Sequence, residues 1–193
     1  MTIGEEFDRL LSRAKSGDRR AFELIYRDIA PLVLGYLRAN RVQEPDDVAS
    51  EVFVAIVRNI DTFDGPETSF RSWVLTITHR RIVDDLRHRS RRPTSVGDAD
   101  ALLTGVAAAD ATDDSALLHL DTASVAHLLE VLTDDQRAVI TLRVLGDLSI
   151  KEVSAILDKP ITAVKSLQHR ALASLAKELQ RRGSIPHPDA SDS

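Results

Sequence analysis

The chain of 193 residues contains no cysteine. Disulfides and thiolate-bound metal centres are therefore excluded, which fits a reducing cytosol and predicts a cytoplasmic protein. Aromatic residues are scarce, with one Trp, two Tyr and five Phe. Glycine and proline are few as well, at eight and seven. β-Branched residues form no alternating runs. Together these shortages argue against a strand-rich fold and predict an all-α protein. No stretch approaches the roughly 18 apolar residues of a membrane helix, so no membrane insertion is expected. Residues 1–11 carry Glu5, Glu6, Asp8 and Arg9 with no apolar centre, which is unlike a secretory signal.

Signatures of catalysis are also missing. His79 and His88 stand nine apart with no HExxH, the carboxylates form no ligand spacing, and P-loop and GxGxxG sequences are absent. The expectation is a protein that is not an enzyme, with no catalytic residues, no metal and no cofactor.

What the chain does have is an uneven charge distribution. Its formal net charge is −5, which at first argues against a polyanion partner. Residues 71–92, however, hold seven Arg against two Asp. Residues 93–123 hold six Asp and no Lys or Arg. Residues 149–182 hold seven Lys and Arg against three acids. One basic block alone is as readily a solvated helix face. Two basic blocks flanking an acidic connector shift the reading toward nucleic-acid binding.

Periodicity divides the chain into two helical domains. Residues 5–16 read as a short helix. Asp18 offers a cap for the next, with Phe22, Ile25, Tyr26, Ile29, Val33 and Leu37 at helical spacing and a bend expected at Pro31. Pro45 and Asp46 open a third helix with Val48, Val52, Phe53, Ile56, Val57 and Ile60 in its stripe. DTFDGPET is a loop, and Ser69 is expected to cap a long helix ending near Ser90. Residues 93–116 read as a flexible acidic linker. A second domain follows over 117–182, and 183–193 read as a loose tail. In that domain Leu128, Leu129 and Leu132 close one helix. Thr133 and Gln136 form a capping box for the next, which should bury Val139, Ile140, Leu142 and Val144 and end at Gly146 as a C-cap. Ser149 and Glu152 form a second capping box. After a turn at 158–161, Thr162 is expected to cap a last helix carrying Val164, Leu167, Ala171, Leu175 and Leu179.

The last two helices have the layout of a helix-turn-helix. The first props the second so that its exposed N-terminal residues can enter a major groove. With Val164, Leu167, Ala171 and Leu175 inward, Lys165, Ser166, Gln168 and His169 face outward and Arg170 lies near the flank. These side chains can meet phosphates or base edges. Spacing alone also describes an ordinary helical hairpin with a polar face.

The segment SIKEVSAILDKPITAVKSLQHRALASL is similar to the C-terminal promoter-reading domain of bacterial sigma-70 factors, particularly the two-domain extracytoplasmic-function group. LTDDQRAVITLRVLGDLS resembles the helix before that motif. AFELIYRDIAPLVLGYLRAN, DDVASEVFVAIVRNIDTFD and SFRSWVLTITHRRIVDDLRHRSRRP resemble the N-terminal sigma domain in order and spacing. The resemblance covers about residues 7–92 and 117–181. It implies a sigma-2-like domain over 1–92 and a sigma-4-like domain over 117–182. It also implies a subunit that binds core RNA polymerase, directs transcription initiation at promoter DNA, and is controlled by an anti-sigma factor.

Roles follow position by position. Asp46, Asp47, Glu51, Val52 and Phe53 match the motif that docks on core polymerase, although N-terminal acids and core apolar groups would explain them equally. Asp61, Thr62, Phe63, Asp64 and Thr68 match the part that holds a flipped base of the −10 element. Arg71, Arg80, Arg81 and Arg87, with Arg89, are matched to phosphate contacts there. Trp73, with Phe70, is placed to stack on bases, or to sit in the core. Thr162, Lys165, Ser166, Gln168, His169 and Arg170 correspond to the −35 reader. The chain departs from the family pattern at Leu167, where Arg is common, and at Asp158 and Thr162, where Gly is usual. Two other readings compete. A stand-alone helix-turn-helix regulator needs an effector or dimer module, which the first half does not display, and an enzyme needs a catalytic constellation.

Overall fold

Asp18 begins the first long helix by accepting hydrogen bonds from the backbone amides of Arg20 and Ala21, at 2.9 and 3.2 Å. These are two of the amides that a helix start leaves unpaired. In this computed structural model, residues 4–91 and 125–183 are described. A 3-10 turn, Gly4–Glu6, leads into α1, Phe7–Lys15. Helices α2, Arg19–Ala39, α3, Pro45–Asn59, and α4, Glu67–Arg91, follow. Residues 125–129 are helical. They precede α5, Asp134–Val144, α6, Ile150–Leu157, and α7, Ile161–Gly183. The protein is all-α. The acidic linker at 93–116, the start of the second domain at 117–124 and the tail at 184–193 lie outside the described residues, as do the side chains of His88 and Arg89.

At nine residues, α1 is too short to persist alone in water. Phe7, Leu10, Leu11 and Ala14 bury one face of it, and each large apolar group so buried contributes about 1.5–3 kcal/mol. The amide of Gly4 also donates to the Glu67 carboxylate at 2.9 Å, fastening α1 beside the start of α4. Helices α2, α3 and α4 pack on one another through Ile25, Ile29, Val33, Leu37, Val48, Val52, Ile56, Val74 and Leu75. α2 runs as one helix through Pro31.

In the second domain, both expected capping boxes form. Thr133 pairs with Gln136 and Ser149 with Glu152. Arg137, only 1% exposed, holds the chain that enters this domain. Its guanidinium donates to the carbonyls of Leu129 and Leu132 at 3.1 and 2.6 Å and pairs with Asp134 at 2.8 Å. A charge so buried is tolerable only when its donors are used.

Several local expectations need correction. Val144 is 71% exposed because it closes the last turn of α5 on the solvent side. Val57, Leu86 and Leu179 are likewise exposed, each lying off its helix's buried face. α4 starts at Glu67, so Ser69 lies inside its first turn rather than at its cap. α7 starts at Ile161, which puts Thr162 inside the first turn as well. Gly146 does not end α5 by a left-handed turn. The positive φ belongs to Asp147, at 51°, and Gly146 is glycine for lack of room. An added Cβ would lie 2.6 Å from Leu75 Cδ1 and 2.7 Å from the Leu142 carbonyl oxygen.

Leu75 belongs to α4, so the same contact joins the two halves of the chain. The buried cluster runs without a break from the α2–α4 bundle into Val139, Leu142, Leu148, Val153, Ile156, Val164 and Leu167. Asn40 Nδ2 donates to Thr141 Oγ1 at 3.3 Å, and Arg41 donates to the Glu130 carbonyl at 3.2 Å. Tyr36 and His79 share a hydrogen across 3.0 Å near this junction. Charges of the second domain, Asp135 and Lys159, act on that imidazole. The two domains are docked.

Candidate nucleic-acid and polymerase interfaces

Pro45 opens α3 at a position where a missing N–H costs nothing. Asp46 and Asp47 follow in the first turn, where carboxylates favour the positive end of the helix dipole. Both are exposed, as is Glu51. Asp46 lies 3.8 Å from Arg38, and Glu51 lies 3.6 Å from Arg81. At such exposures these pairs contribute little stability, so the acidic edge remains available to a basic partner. Val52 and Phe53 face the other way. Val52 is fully buried, and Phe53 packs on Tyr26 with ring centroids 4.3 Å apart. They seat the helix and are not on its outer surface. The outward apolar groups are Val54 and Val57, each about half exposed, and the sequence reading missed them as surface. Their signal was phase, since they fall out of register with Val48, Val52 and Ile56.

The loop after α3 rests on an aromatic cluster. Phe63 packs against Phe70 and Trp73, at centroid distances of 5.1 and 5.3 Å, and Phe7 packs on Phe70 at 5.2 Å. Phe63 and Phe70 are buried, whereas Trp73 is partly exposed. Lys15 Nζ donates to the Phe63 carbonyl at 2.5 Å. Around this support Asp61, Thr62, Asp64 and Thr68 are exposed. Phe63 therefore holds this segment from below, while Asp61 and Thr62 of a 3-10 turn, Asp64 of the loop and Thr68 of the first turn of α4 form its outer surface, so only part of the stretch expected as a loop is one. On α4, Arg80 is exposed, Arg71 and Arg81 are half-buried, and Arg87 lies 3.8 Å from Asp84.

Helices α6 and α7 form a helix-turn-helix joined through residues 158–160. Asp158 closes α6 at φ 50° and ψ 46°. This left-handed conformation explains why glycine is usual there, since a side chain is strained in it. The Ser154 hydroxyl donates to the Lys159 carbonyl at 2.6 Å, and Lys159 pairs with Asp135 at 3.0 Å, fixing the turn. Val164, Leu167 and Ala171 point inward. Lys165, Ser166, His169 and Arg170 line one open concavity on the outer face, and Thr162 is exposed beside them. Gln168 is not with this group. It is half-buried, and its Oε1 lies inside without a hydrogen-bond partner. Leu167 is buried, so the position where the family favours Arg is a core position in this chain.

Two family models match these same regions, Sigma-70 region 2 over residues 25–92 and Sigma-70, region 4 over 122–175. The ECF RNA polymerase sigma factor SigK of Mycobacterium tuberculosis (strain ATCC 25618 / H37Rv) is 31% identical over 180 residues, covering 90% of this chain and 93% of that protein. The chain belongs to the ECF sigma factors of the sigma-70 family. It is also 28% identical over 193 residues to the RNA polymerase sigma-H factor of Pseudomonas aeruginosa, covering 93% of this chain and 97% of that one. The ECF sigma factor BldN of Streptomyces coelicolor is 30% identical over 173 residues, which is 88% of this chain but 64% of BldN's length. Among solved structures, a chain of CnrH in complex with the cytosolic domain of CnrY aligns with TM-score 0.61 and 27% identity, over 89% of this chain and 96% of that one. Among the described residues, no helix is long and apolar enough to cross a membrane.

As a sigma factor, the chain carries its two region matches on the two docked domains. Region 2 spans the acidic edge of α3, the aromatic-backed loop and the arginines of α4. Region 4 spans the capped helix-turn-helix. What the site offers chemically is charge and shape. Acidic side chains stand at one helix start, and cationic ones stand along the outer faces of α4 and α7.

Proposed function

We propose that this sigma factor binds core RNA polymerase through α3 and directs initiation at promoters that it reads at two elements. The single observation that carries this reading is the shared outer face of Lys165, Ser166, His169 and Arg170 on a helix propped by capped α6. Four polar or cationic groups on the first turns of a recognition helix suit phosphates and base edges of a major groove. Thr162 flanks this −35 face. Gln168, half-buried, sets the helix rather than touching DNA.

Asp46, Asp47 and Glu51 supply an acidic edge for a basic helical surface of core polymerase, and Val54 and Val57 supply the apolar ground beside it. Val52 and Phe53 hold that helix in place. At the −10 element, Asp61, Thr62, Asp64 and Thr68 form the rim of a base pocket floored by Phe63. Trp73 offers its exposed edge, and Arg71, Arg80, Arg81 and Arg87 attract the exposed strand. The chain acts as a binding subunit, with catalysis left to the polymerase, and works in the cytoplasm where that enzyme is. Residues 1–92 and 117–182 act as the two modules, with 93–116 as tether and 183–193 as tail.

An anti-sigma protein controls it. The support is the CnrH likeness, in which the related chain is held in complex with another protein's cytosolic domain. Co-elution of the full chain with purified core polymerase tests the docking part. Asp47→Lys should reduce co-elution while lowering stability only by the about 1 kcal/mol that a reversed charge at a helix start costs, because Asp47 is exposed. Undiminished co-elution would show that α3 is not the docking helix.

A further inference from the structure

We propose that Lys15 is a positioning residue of the −10 base pocket, through which α1 holds that pocket in the shape that drives strand opening. The proposal rests on the functional reading above, in which Asp61, Thr62, Asp64 and Thr68 rim a pocket floored by Phe63. Residues 63–66 lie in no helix. A segment of that kind is only as fixed as the ties its groups make. The Phe63 amide donates to the Ile60 carbonyl at 3.2 Å, and its ring packs on Phe70 and Trp73 of α4. Its carbonyl accepts from the Lys15 ammonium at 2.5 Å, from 48 residues earlier in the chain. Amide, ring and carbonyl are thus each engaged, and the engagement of the carbonyl comes from α1.

Lys15 reaches this carbonyl by its phase. Phe7, Leu11 and Lys15 follow at i, i+4 and i+8, along one face of α1. Phe7 and Leu11 are buried, and Phe7 packs on Phe70. The same face therefore carries the half-buried Lys15 stem to the loop. The helix is pinned at both ends. At its start the Gly4 amide bonds Glu67 of α4. At its end the Gly17 and Asp18 amides donate to the Ala14 and Arg13 carbonyls, each at 3.0 Å, and Arg13 pairs with the Asp18 carboxylate that caps α2. Lys15 thus stands on a rigid mount. Capture of a flipped base gains most from a rim ordered before DNA arrives, since the loop then loses little freedom on binding. An ammonium–carbonyl bond is of the stronger, charge-assisted kind, and its removal leaves a half-buried carbonyl unpaired.

The single Trp of the chain lies in this cluster, so its emission reads the loop directly. Lys15→Met keeps the apolar stem and deletes the charge, whereas Lys15→Arg keeps the charge and a donor. In the free full-length chain, acrylamide quenching of Trp73 should rise in Lys15→Met and return toward wild type in Lys15→Arg. With core polymerase and a duplex promoter drawn from a run-off library, Lys15→Met should lower the rate of product formation about tenfold, the scale of one bond to a charged group. Lys15→Arg should restore it. The same promoter mispaired across its −10 element needs no opening, and on it Lys15→Met should match wild type. A loss of folding alone would lower both templates alike. Unchanged Trp73 quenching, equal losses on the duplex and mispaired templates, or no loss on the duplex would each overturn the proposal. Failure of the wild type to initiate on either template would instead overturn the functional reading, with Trp73 quenching still deciding whether Lys15 holds the loop.

Discussion

Leu75 Cδ1 lies 2.6 Å from the place where a Cβ on Gly146 would stand, and the Leu142 carbonyl oxygen lies 2.7 Å from it on the other side. The backbone at Gly146 is thus boxed between its own helix and the long helix of the first domain. Gly146→Ala should destabilise the protein by about 1–3 kcal/mol, the range for overpacking a filled interior. Chemical denaturation measures this, and an unchanged midpoint would contradict the contact.

Asp158 holds a left-handed conformation in the helix-turn-helix, at φ 50°. Asp158→Gly removes the strain that a side chain meets there. The variant should be more stable by about 1 kcal/mol. Thermal unfolding should show a higher midpoint for Asp158→Gly and a lower one for Asp158→Val, since a β-branched residue tolerates that region least.

His79 makes stability depend on pH. Burial pushes its imidazole below the ordinary 6.5, Asp135 opposes that, and Lys159 adds to it. Burial also pushes the neighbouring Tyr36 phenol upward, so Tyr36 stays neutral. As pH falls below 6.5 the unfolded chain takes up the His79 proton while the folded chain does not. Stability from this group is therefore complete above that value and declines beneath it, until the folded imidazole itself titrates. Denaturation midpoints of the wild type should fall from about pH 7.5 to pH 5.5 more steeply than those of His79→Gln. Parallel curves would contradict the burial of His79.

Lys165 lies exposed in the concavity of α7. As a phosphate contact its loss should weaken holoenzyme binding uniformly across promoters and reduce the salt slope by about one. A Lys165→Ala variant that changes only the preference between promoters would place Lys165 on a base edge instead.

Much of this architecture is written in local chemistry. Asp18, the Thr133 and Ser149 capping boxes and the period of α2 and α3 all depend on neighbours in sequence, and those elements form where the pattern puts them. Features set by distant parts of the chain were not legible. Gly146 reads as a helix stop until Leu75 is seen against it. Val52 and Phe53 belong to a matching motif, yet burial decides that they seat the helix while Val54 and Val57 face out. Gln168 falls on the outer side of an ideal helical wheel but turns partly inward. Arg137 gave no sign of being buried, because its partners are the Leu129 and Leu132 carbonyls rather than a paired side chain alone. The docking of the two domains left no local signal at all.

The central claim is that this chain gives core RNA polymerase its promoter. Run-off transcription from a library of promoter fragments, with core polymerase alone and with the purified chain added, tests it most directly. The account predicts discrete transcripts that appear only when the chain is present and that decline when Lys165, His169 and Arg170 are replaced together by Ala. Transcription unchanged by the chain across the library would contradict it.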